Sequence, residues 1–298
     1  MGRRDSFERF HPLVNFIYFA LVIGFAMFLM HPVCLAISLI CAVCYGVSLS
    51  GGGALRLQLM FVLPMMALTT LINLLFNHRG DTLLARLPGG SSLTLESALY
   101  GLAAAVMLWA VVAWFSCYST VMTSDKFLYL FGKTIPSTAL VLTMTLSFVP
   151  RFKHQLQAVT QAQRSLGRTV TEGPLKQRLR TAVTILSVML TWSLESSVET
   201  ADSMRSRGYG LPGRTSFALY RWEHRDTIAL AWLISCGCFI LLGWARGDLS
   251  WSYFPAVKLG AITPMALGVF GVYLALCLTP LILQGKEALT WRALSCAM

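Results

Sequence analysis

The sequence predicts an all-α, polytopic membrane protein with about six transmembrane helices and two long, crossed helices in the cytoplasm. The 298-residue chain is 56% hydrophobic, has a mean hydropathy of +0.64, and carries only 12% charged residues. That charged fraction is about half that of a soluble domain. Apolar runs of about 20 residues, the length that crosses the hydrocarbon core, recur along the chain. A more polar central region interrupts them, and its sequence is helical in character.

Six apolar runs predict the transmembrane helices. They cover residues 13–30, 33–49, 57–76, 99–122, 228–244 and 260–283. His31-Pro32 separates the first two runs, and the sequence Ser-Gly-Gly-Gly at 50–53 predicts a turn between the second and third. A polar loop, 77–97, precedes the fourth. The predicted domains are therefore 1–122 with four transmembrane helices, 123–226 as the central region, and 227–298 with the last two.

The central region contains two apolar cores, 137–149 and 181–194, which are too short to cross a bilayer unaided. Each continues into polar helical sequence, and Gly173-Pro174 separates the two. We therefore predict two helices, Pro136–Leu166 and Leu175–Arg207, each about 50 Å long. Each has one apolar half, which must pack against the other helix, a transmembrane helix or a partner.

The distribution of positive charge predicts the orientation. If the N-terminus is cytoplasmic and the six helices alternate in direction, the outer loops hold few of the 24 Lys and Arg residues. Those few are Arg79, Arg86, Arg246 and Lys258. Positive charge is retained on the cytoplasmic side of membrane proteins. We therefore expect the central region and both termini to lie in the cytoplasm, and the net charge of +11 to reflect this bias instead of nucleic-acid binding.

Several function classes lack the residues they require. The six predicted transmembrane runs contain no Asp, Glu, Lys or Arg, which argues against a proton-coupled pump or a cation channel. No His-Glu-x-x-His motif occurs. The sequence Phe131-Gly-Lys-Thr134 is no P-loop, because Phe127 stands where that motif requires Gly. We therefore expect no catalytic residue, metal or cofactor in this chain. A self-contained secondary transporter and a membrane scaffold remain alternatives.

The two long helices end alike. The second ends in Arg205-Ser-Arg-Gly208 and the first in Gln163-Arg-Ser-Leu-Gly-Arg168. A basic last turn followed by Gly is also how ordinary helices end, since Gly adopts the left-handed conformation and cations complement the helix dipole. Two such ends on one side of a membrane additionally suggest a matched pair that docks on a soluble partner, because Arg recognises carboxylates well.

These motifs resemble the transmembrane T component of energy-coupling factor (ECF) transporters, the family that includes the cobalt-importer membrane subunit. Ser206-Arg207-Gly208, with Ala201, Met204 and Tyr209 around it, is similar to one family motif. The first helix resembles the family from Ser147–Pro150 through Ala162–Arg164 to Gly167. In that family each of two helices ends in Ala-Arg-Gly and docks on one ATPase subunit.

The resemblance implies a non-catalytic membrane subunit that couples two ATPase subunits, a homodimer or a heterodimer, to one substrate-binding S component in a prokaryotic plasma membrane. ATP and Mg would be bound by the ATPases, and a vitamin or metal ion by the S component. The implied ATPase-docking residues are Gln163, Arg164, Ser165, Leu166, Gly167, Arg168, Ser206, Arg207 and Gly208. The apolar seat of the S component would come from Leu140, Leu142, Leu146, Ile185, Met189 and Leu190.

The first motif departs from the family pattern at one position. Leu166 stands where the family has Arg, whereas the second motif keeps its Arg207. Arg164 lies about 200° around the helix from Leu166, so it does not replace the missing guanidinium. We therefore expect asymmetric docking, with a charged anchor at Arg207 and an apolar contact at Leu166.

Overall fold

The protein is helical almost throughout. The computed structural model describes residues 7–77, 80, 82–86, 92–132, 135–169, 174–212, 220–249, 251–254 and 263–296. The helices are α1 (Pro12–Phe28), α2 (Pro32–Phe76), α3 (Leu95–Val121), α4 (Ser124–Gly132), α5 (Pro136–Ser165), α6 (Leu175–Ser206), α7 (His224–Ala245) and α8 (Pro264–Cys296). A 3-10 turn, Phe7–Arg9, precedes α1. The predicted all-α, polytopic class is confirmed.

The chain divides into two compact units. The membrane unit consists of Met1–Phe127 and Tyr220–Met298, and the central unit consists of Leu128–Leu219. The first and third predicted domains thus belong to one unit. The segments 123–127 and 220–226, which the sequence placed with the central region, also belong to it.

The membrane unit has an aromatic core in which α1 is the central element. Tyr18 and Phe19 of α1 are buried, and both rings contact the buried indole of Trp114 on α3. The indole nitrogen of Trp114 donates a hydrogen bond to Ser38 Oγ on α2 at 3.0 Å. Small residues allow close helix contacts, since a Cβ on Gly101 would lie 3.2 Å from the backbone of Thr70.

Within the described residues, six helical segments are long and apolar enough to cross a membrane, but they are not quite the six that the sequence predicts. The segments are Pro32–Gly53, Gln58–Phe76, Leu95–Val121, Leu175–Ser206, His224–Ala245 and Pro264–Lys286. Helix α1, the first predicted span, has only 17 residues and therefore covers about 26 Å. Helix α6 qualifies instead, with the lowest hydropathy of the six, 1.2. Its assignment to the cytoplasm stays a prediction.

The predicted turn between the second and third spans is a kink in the structure. Gly51 has φ 75° and ψ 176°, which are not helical angles, and it divides α2 into two helical segments. Gly reaches this region at little cost because it has no Cβ.

The predicted polar loop contains a short antiparallel strand pair that the sequence analysis missed. Strand β1 (Leu83–Arg86) pairs with β2 (Ser92–Thr94), with Leu83 opposite Thr94. At its base the buried carboxylate of Glu96 accepts hydrogen bonds from the backbone nitrogen and the hydroxyl of Thr82. A two-stranded ribbon has too few residues for a clear alternating pattern, so composition alone indicated only a loop.

Candidate functional site

The two long helices of the central unit contact each other near the middle of each. Phe148 of α5 stacks on Trp192 of α6, with ring centroids 5.6 Å apart and planes inclined by 24°. Helix α5 extends over Pro136–Ser165 and α6 over Leu175–Ser206, within one residue of the predicted bounds. The C-terminal ends of both helices lie beyond this contact, and most residues there are exposed.

Helix α5 ends in a glycine-terminated turn with two backbone hydrogen bonds. The nitrogen of Gly167 donates to the carbonyl of Arg164 at 2.9 Å, and that of Arg168 donates to the carbonyl of Gln163 at 3.0 Å. Gly167 has φ 73°, in the left-handed region. This pair of bonds is the Schellman motif, which satisfies carbonyls that the helix itself leaves free.

Helix α6 ends in the same motif. The nitrogen of Gly208 donates to the carbonyl of Arg205 at 3.0 Å, and that of Tyr209 donates to the carbonyl of Met204 at 3.0 Å. Gly208 has φ 80°. The two motifs can therefore be aligned bond by bond. Gln163 corresponds to Met204, Arg164 to Arg205, Ser165 to Ser206, Leu166 to Arg207, Gly167 to Gly208, and Arg168 to Tyr209.

The aligned ends differ most at the residue before the glycine. Leu166 and Arg207 are the C-cap residues, with similar backbone angles of φ −86°, ψ 9° and φ −83°, ψ 5°. Leu166 is 69% exposed, and Arg207 is exposed as well. The Arg207 side chain has no hydrogen-bond or ion-pair partner among the described residues. The same backbone position thus presents an apolar side chain on α5 and a free guanidinium on α6.

The space around the two glycines also differs. A Cβ on Gly208 would lie 3.1 Å from Leu211 Cδ1, whereas no atom of the described residues lies within 4 Å of a Cβ on Gly167. The nitrogen of Leu211 donates to the carbonyl of Gly208 at 3.3 Å. The end of α6 is therefore followed by a further turn that packs on its glycine, whereas no described residue packs on the glycine of α5.

The other residues implied for docking lie on these two turns. Arg164, Ser165, Arg168 and Ser206 are exposed. Gln163 is partly buried, and its Oε1 is buried with no hydrogen-bond partner among the described residues. The hydroxyl of Ser206 donates to the carbonyl of Ser203 at 2.8 Å, so it helps to close the last turn of α6.

The six residues implied for the S-component seat divide into two groups. Leu142, Leu146 and Leu190 are exposed, and Leu140 is partly buried. Ile185 and Met189 are buried, with Met189 only 1% exposed. They form a buried row with Thr181 at intervals of four residues on α6. In this conformation the accessible part of the implied seat is therefore provided by the leucines.

A second apolar row lies on another side of α6, and the sequence analysis did not single it out. Its members are all exposed and recur every three or four residues. They are Leu175, Leu179, Val183, Leu186, Leu190, Leu194 and Val198. The row extends for about 35 Å along the helix, far more apolar surface than a water-exposed helix carries without a covering partner or bilayer.

No group of three or more His, Cys, Asp or Glu side chains lies together in the part of the chain that the structure describes.

Comparison with known proteins gives the family. Residues 4–217, more than half of the chain, match the family model CbiQ, described as cobalt transport protein. The chain belongs to this family. The resemblance to the T component of ECF transporters is thereby confirmed, and curated relatives agree with it.

Several of these relatives are named energy-coupling factor transporter transmembrane protein EcfT. That of Lactobacillus helveticus is 34% identical over 110 residues, which cover 37% of this chain and 40% of the relative. EcfT 1 of Listeria monocytogenes is 33% identical over 106 residues, covering 35% and 40%. EcfT of Bacillus subtilis is 31% identical over 97 residues, covering 32% and 37%. The matched segments thus span about two fifths of the relatives' length.

Proposed function

We propose that this multi-pass membrane protein is the coupling subunit of an ATP-driven importer. It receives the motion of two ATPase subunits at the ends of α5 and α6 and passes it to one substrate-binding S component. The observation that carries the proposal is the repeated Schellman motif, which presents Leu166 and Arg207 at equivalent backbone positions. ATP and Mg are bound by the ATPases, and this chain holds no cofactor and no catalytic residue.

The end of α6 is the charged anchor. Arg207 is exposed and has no partner within the described residues, so its guanidinium is available to a carboxylate on a soluble protein. In a bidentate Arg–carboxylate pair, two parallel hydrogen bonds fix the relative orientation of the two groups and stabilise the complex. The two backbone hydrogen bonds of the glycine turn and the hydrogen bond of the Ser206 hydroxyl define where this charge is presented.

The end of α5 docks through an apolar contact. Leu166 stands 69% exposed on the same backbone turn, and burying such a side chain in a groove is worth about 1.5–3 kcal/mol. Docking is therefore asymmetric, as Leu166 and Arg207 require differently lined grooves. A heterodimer of ATPase subunits supplies two such grooves.

The seat of the S component uses the exposed apolar rows of the central unit. Leu142 and Leu146 of α5 and Leu190 of α6 are the accessible members of the implied seat. The exposed row of α6 extends this surface well beyond Leu190. The cargo, a vitamin or a metal ion, is selected by the S component, and the complex lies in a prokaryotic plasma membrane with both termini of this chain in the cytoplasm.

Purification tests this function. The tagged chain is extracted from its native membrane in mild detergent, and the retained chains are identified by sequencing. We expect two P-loop ATPase subunits and a small membrane protein. Arg207→Glu should release the ATPases, whereas Lys176→Met, an exposed change at the far end of α6, should retain them. Recovery of the wild-type chain without any ATPase would favour a secondary transporter or a scaffold and contradict the proposal.

A further inference from the structure

A short segment at the start of the chain, Phe7–His11, is held firmly in the membrane unit. The Phe7 side chain is buried, and its ring contacts those of Tyr18 at 5.0 Å and Phe19 at 6.2 Å. His11 caps α1, since its Nδ1 accepts a hydrogen bond from the nitrogen of Leu13 at 3.3 Å. We call Phe7–His11 the N-terminal clamp.

The clamp binds the point at which the chain leaves the membrane unit. Lys126 precedes Phe127, the last residue before the central unit. Its side chain is only 4% exposed, and Nζ donates to the carbonyls of Glu8 at 2.6 Å and of Val121 at 3.0 Å. Burial of an ammonium group is costly unless such partners compensate it. Lys126 therefore joins the clamp to the end of α3.

The clamp also binds the point at which the chain returns. Asp226, in the first turn of α7, is 1% exposed. One carboxylate oxygen accepts from the nitrogen of His11 at 3.2 Å, and the other accepts from the nitrogen of Glu223 at 3.0 Å. A single buried carboxylate thus ties the clamp to the start of α7.

Further contacts strengthen the tie on the return side. Arg225 donates from Nη2 to the carbonyl of Arg9 at 3.1 Å, and its guanidinium lies 5.2 Å from the ring centroid of Phe10. The ring of His11 lies 4.8 Å from that of Trp222. Every residue of the clamp therefore contacts the membrane unit or one of the two connecting segments.

Both connections contact the clamp, and the residue that begins the return connection is also influenced by charges on the other two parts. Tyr220 is the first residue after the central unit. Burial raises the pKa of its hydroxyl, and the negative charges of Asp125 and Glu8 raise it further. Asp125 belongs to the outgoing connection and Glu8 to the clamp, so charges from both parts act on the first residue of the return connection.

We propose that the N-terminal clamp, through Lys126 and Asp226, is a positioning element that makes the membrane unit follow movements delivered to the central unit. The inference rests on the proposed coupling function. The central unit is continuous with the membrane unit through two peptide connections, and slack in either would absorb the motion. Lys126 and Asp226 each bind the clamp through a buried charged group, and hydrogen bonds to charged groups are stronger than those between neutral groups, so displacement of either connection should also displace the clamp.

Amide hydrogen exchange of the assembled complex tests the clamp. Exchange is compared with and without ATP plus vanadate in the wild type, Lys126→Met and Asp226→Asn. The readout is the exchange of the first turns of α1 and α7 and the last turn of α3. Lys176→Met and Asp248→Asn are the matched controls, with the same chemical changes outside the clamp.

We expect nucleotide to change exchange at these turns in the wild type and in both controls. In Lys126→Met and Asp226→Asn the ATPases should remain bound and hydrolyse ATP, but the nucleotide-dependent change in the membrane unit should be lost. If a clamp variant fails to assemble, Arg225→Met, which removes an exposed contact, is used in its place and should reduce the change.

Two outcomes overturn the inference. One is an unaltered nucleotide response at these turns in both clamp variants, which would make the clamp purely structural. The other is a wild-type complex whose response is confined to the central unit. Failure of the wild-type chain to bind ATPases is a different result, because it refutes the proposed function itself.

Discussion

The ends of α5 and α6 share a backbone and differ in chemistry. Both close with the same two hydrogen bonds around a left-handed glycine, yet the residue before the glycine is Leu166 on one helix and Arg207 on the other. The conformation of the turn is thus set by its glycine and its hydrogen bonds, whichever side chain it carries. The side chain before the glycine decides whether the turn presents an apolar group or a positive charge. The two ends are therefore suited to grooves with different linings.

The largest expected effect comes from reversing the charge at the α6 end. Arg207→Glu places a carboxylate opposite the acidic groove that we propose, and loss of a buried charge pair typically costs about 2–5 kcal/mol. We expect ATPase affinity, measured by titration in detergent, to fall by roughly 30-fold or more. Arg180→Glu, the same charge reversal at an exposed arginine near the start of α6, is the control and should have a small effect. Equal losses in both variants would remove the anchor role of Arg207.

Replacing either glycine by alanine should have a smaller effect than Arg207→Glu, and the effect should differ between Gly167→Ala and Gly208→Ala. Both glycines have positive φ, which costs a residue with a Cβ about 1–2 kcal/mol. Gly208→Ala also brings its Cβ to 3.1 Å from Leu211 Cδ1, while the Cβ of Gly167→Ala has no atom within 4 Å in the part of the chain that the structure describes. Amide exchange of the last helical turn should therefore rise more in Gly208→Ala than in Gly167→Ala. The reverse order would show that the local crowding at Gly208 is unimportant.

Leu166→Arg makes the first end chemically like the second and should have the smallest effect. The backbone angles already suit arginine, as Arg207 shows, so the turn should form unchanged. If the α5 groove is apolar, the new charge is desolvated without a partner and affinity falls modestly, by roughly tenfold or about 1.4 kcal/mol. A gain in affinity would mean that this groove is also acidic. The two helix ends would then differ although the two ATPase grooves are alike.

The sequence predicted the two long helices within one residue because their limits depend on local signals. The Gly173-Pro174 break and Gly167 and Gly208 act over a few residues, so they can be read without tertiary context. The match of Leu166 with Arg207 was also visible, since each precedes its glycine directly. The structure added the hydrogen bonds that align the remaining positions of the two ends.

Features that depend on distant contacts could not be predicted. The residues next to Lys126 and Asp226 in the sequence do not indicate that these charged side chains are buried. Both contact a segment that lies more than a hundred residues away in the sequence. Met189 and Leu190 are adjacent and apolar, yet one is buried and the other exposed, so composition alone placed both in the seat. The 17-residue length of α1 likewise follows from where the helix ends at Phe28, not from the longer apolar run.

Salt dependence tests the asymmetry between the helix ends most directly. ATPase affinity is measured for the wild type, Arg207→Ala and Leu166→Ala at 50 mM and 500 mM salt, about the range over which exposed charge pairs become screened. We predict that wild type and Leu166→Ala weaken as salt rises, while Arg207→Ala is weak at both concentrations and nearly insensitive. An equal salt response in the two alanine variants would contradict the account.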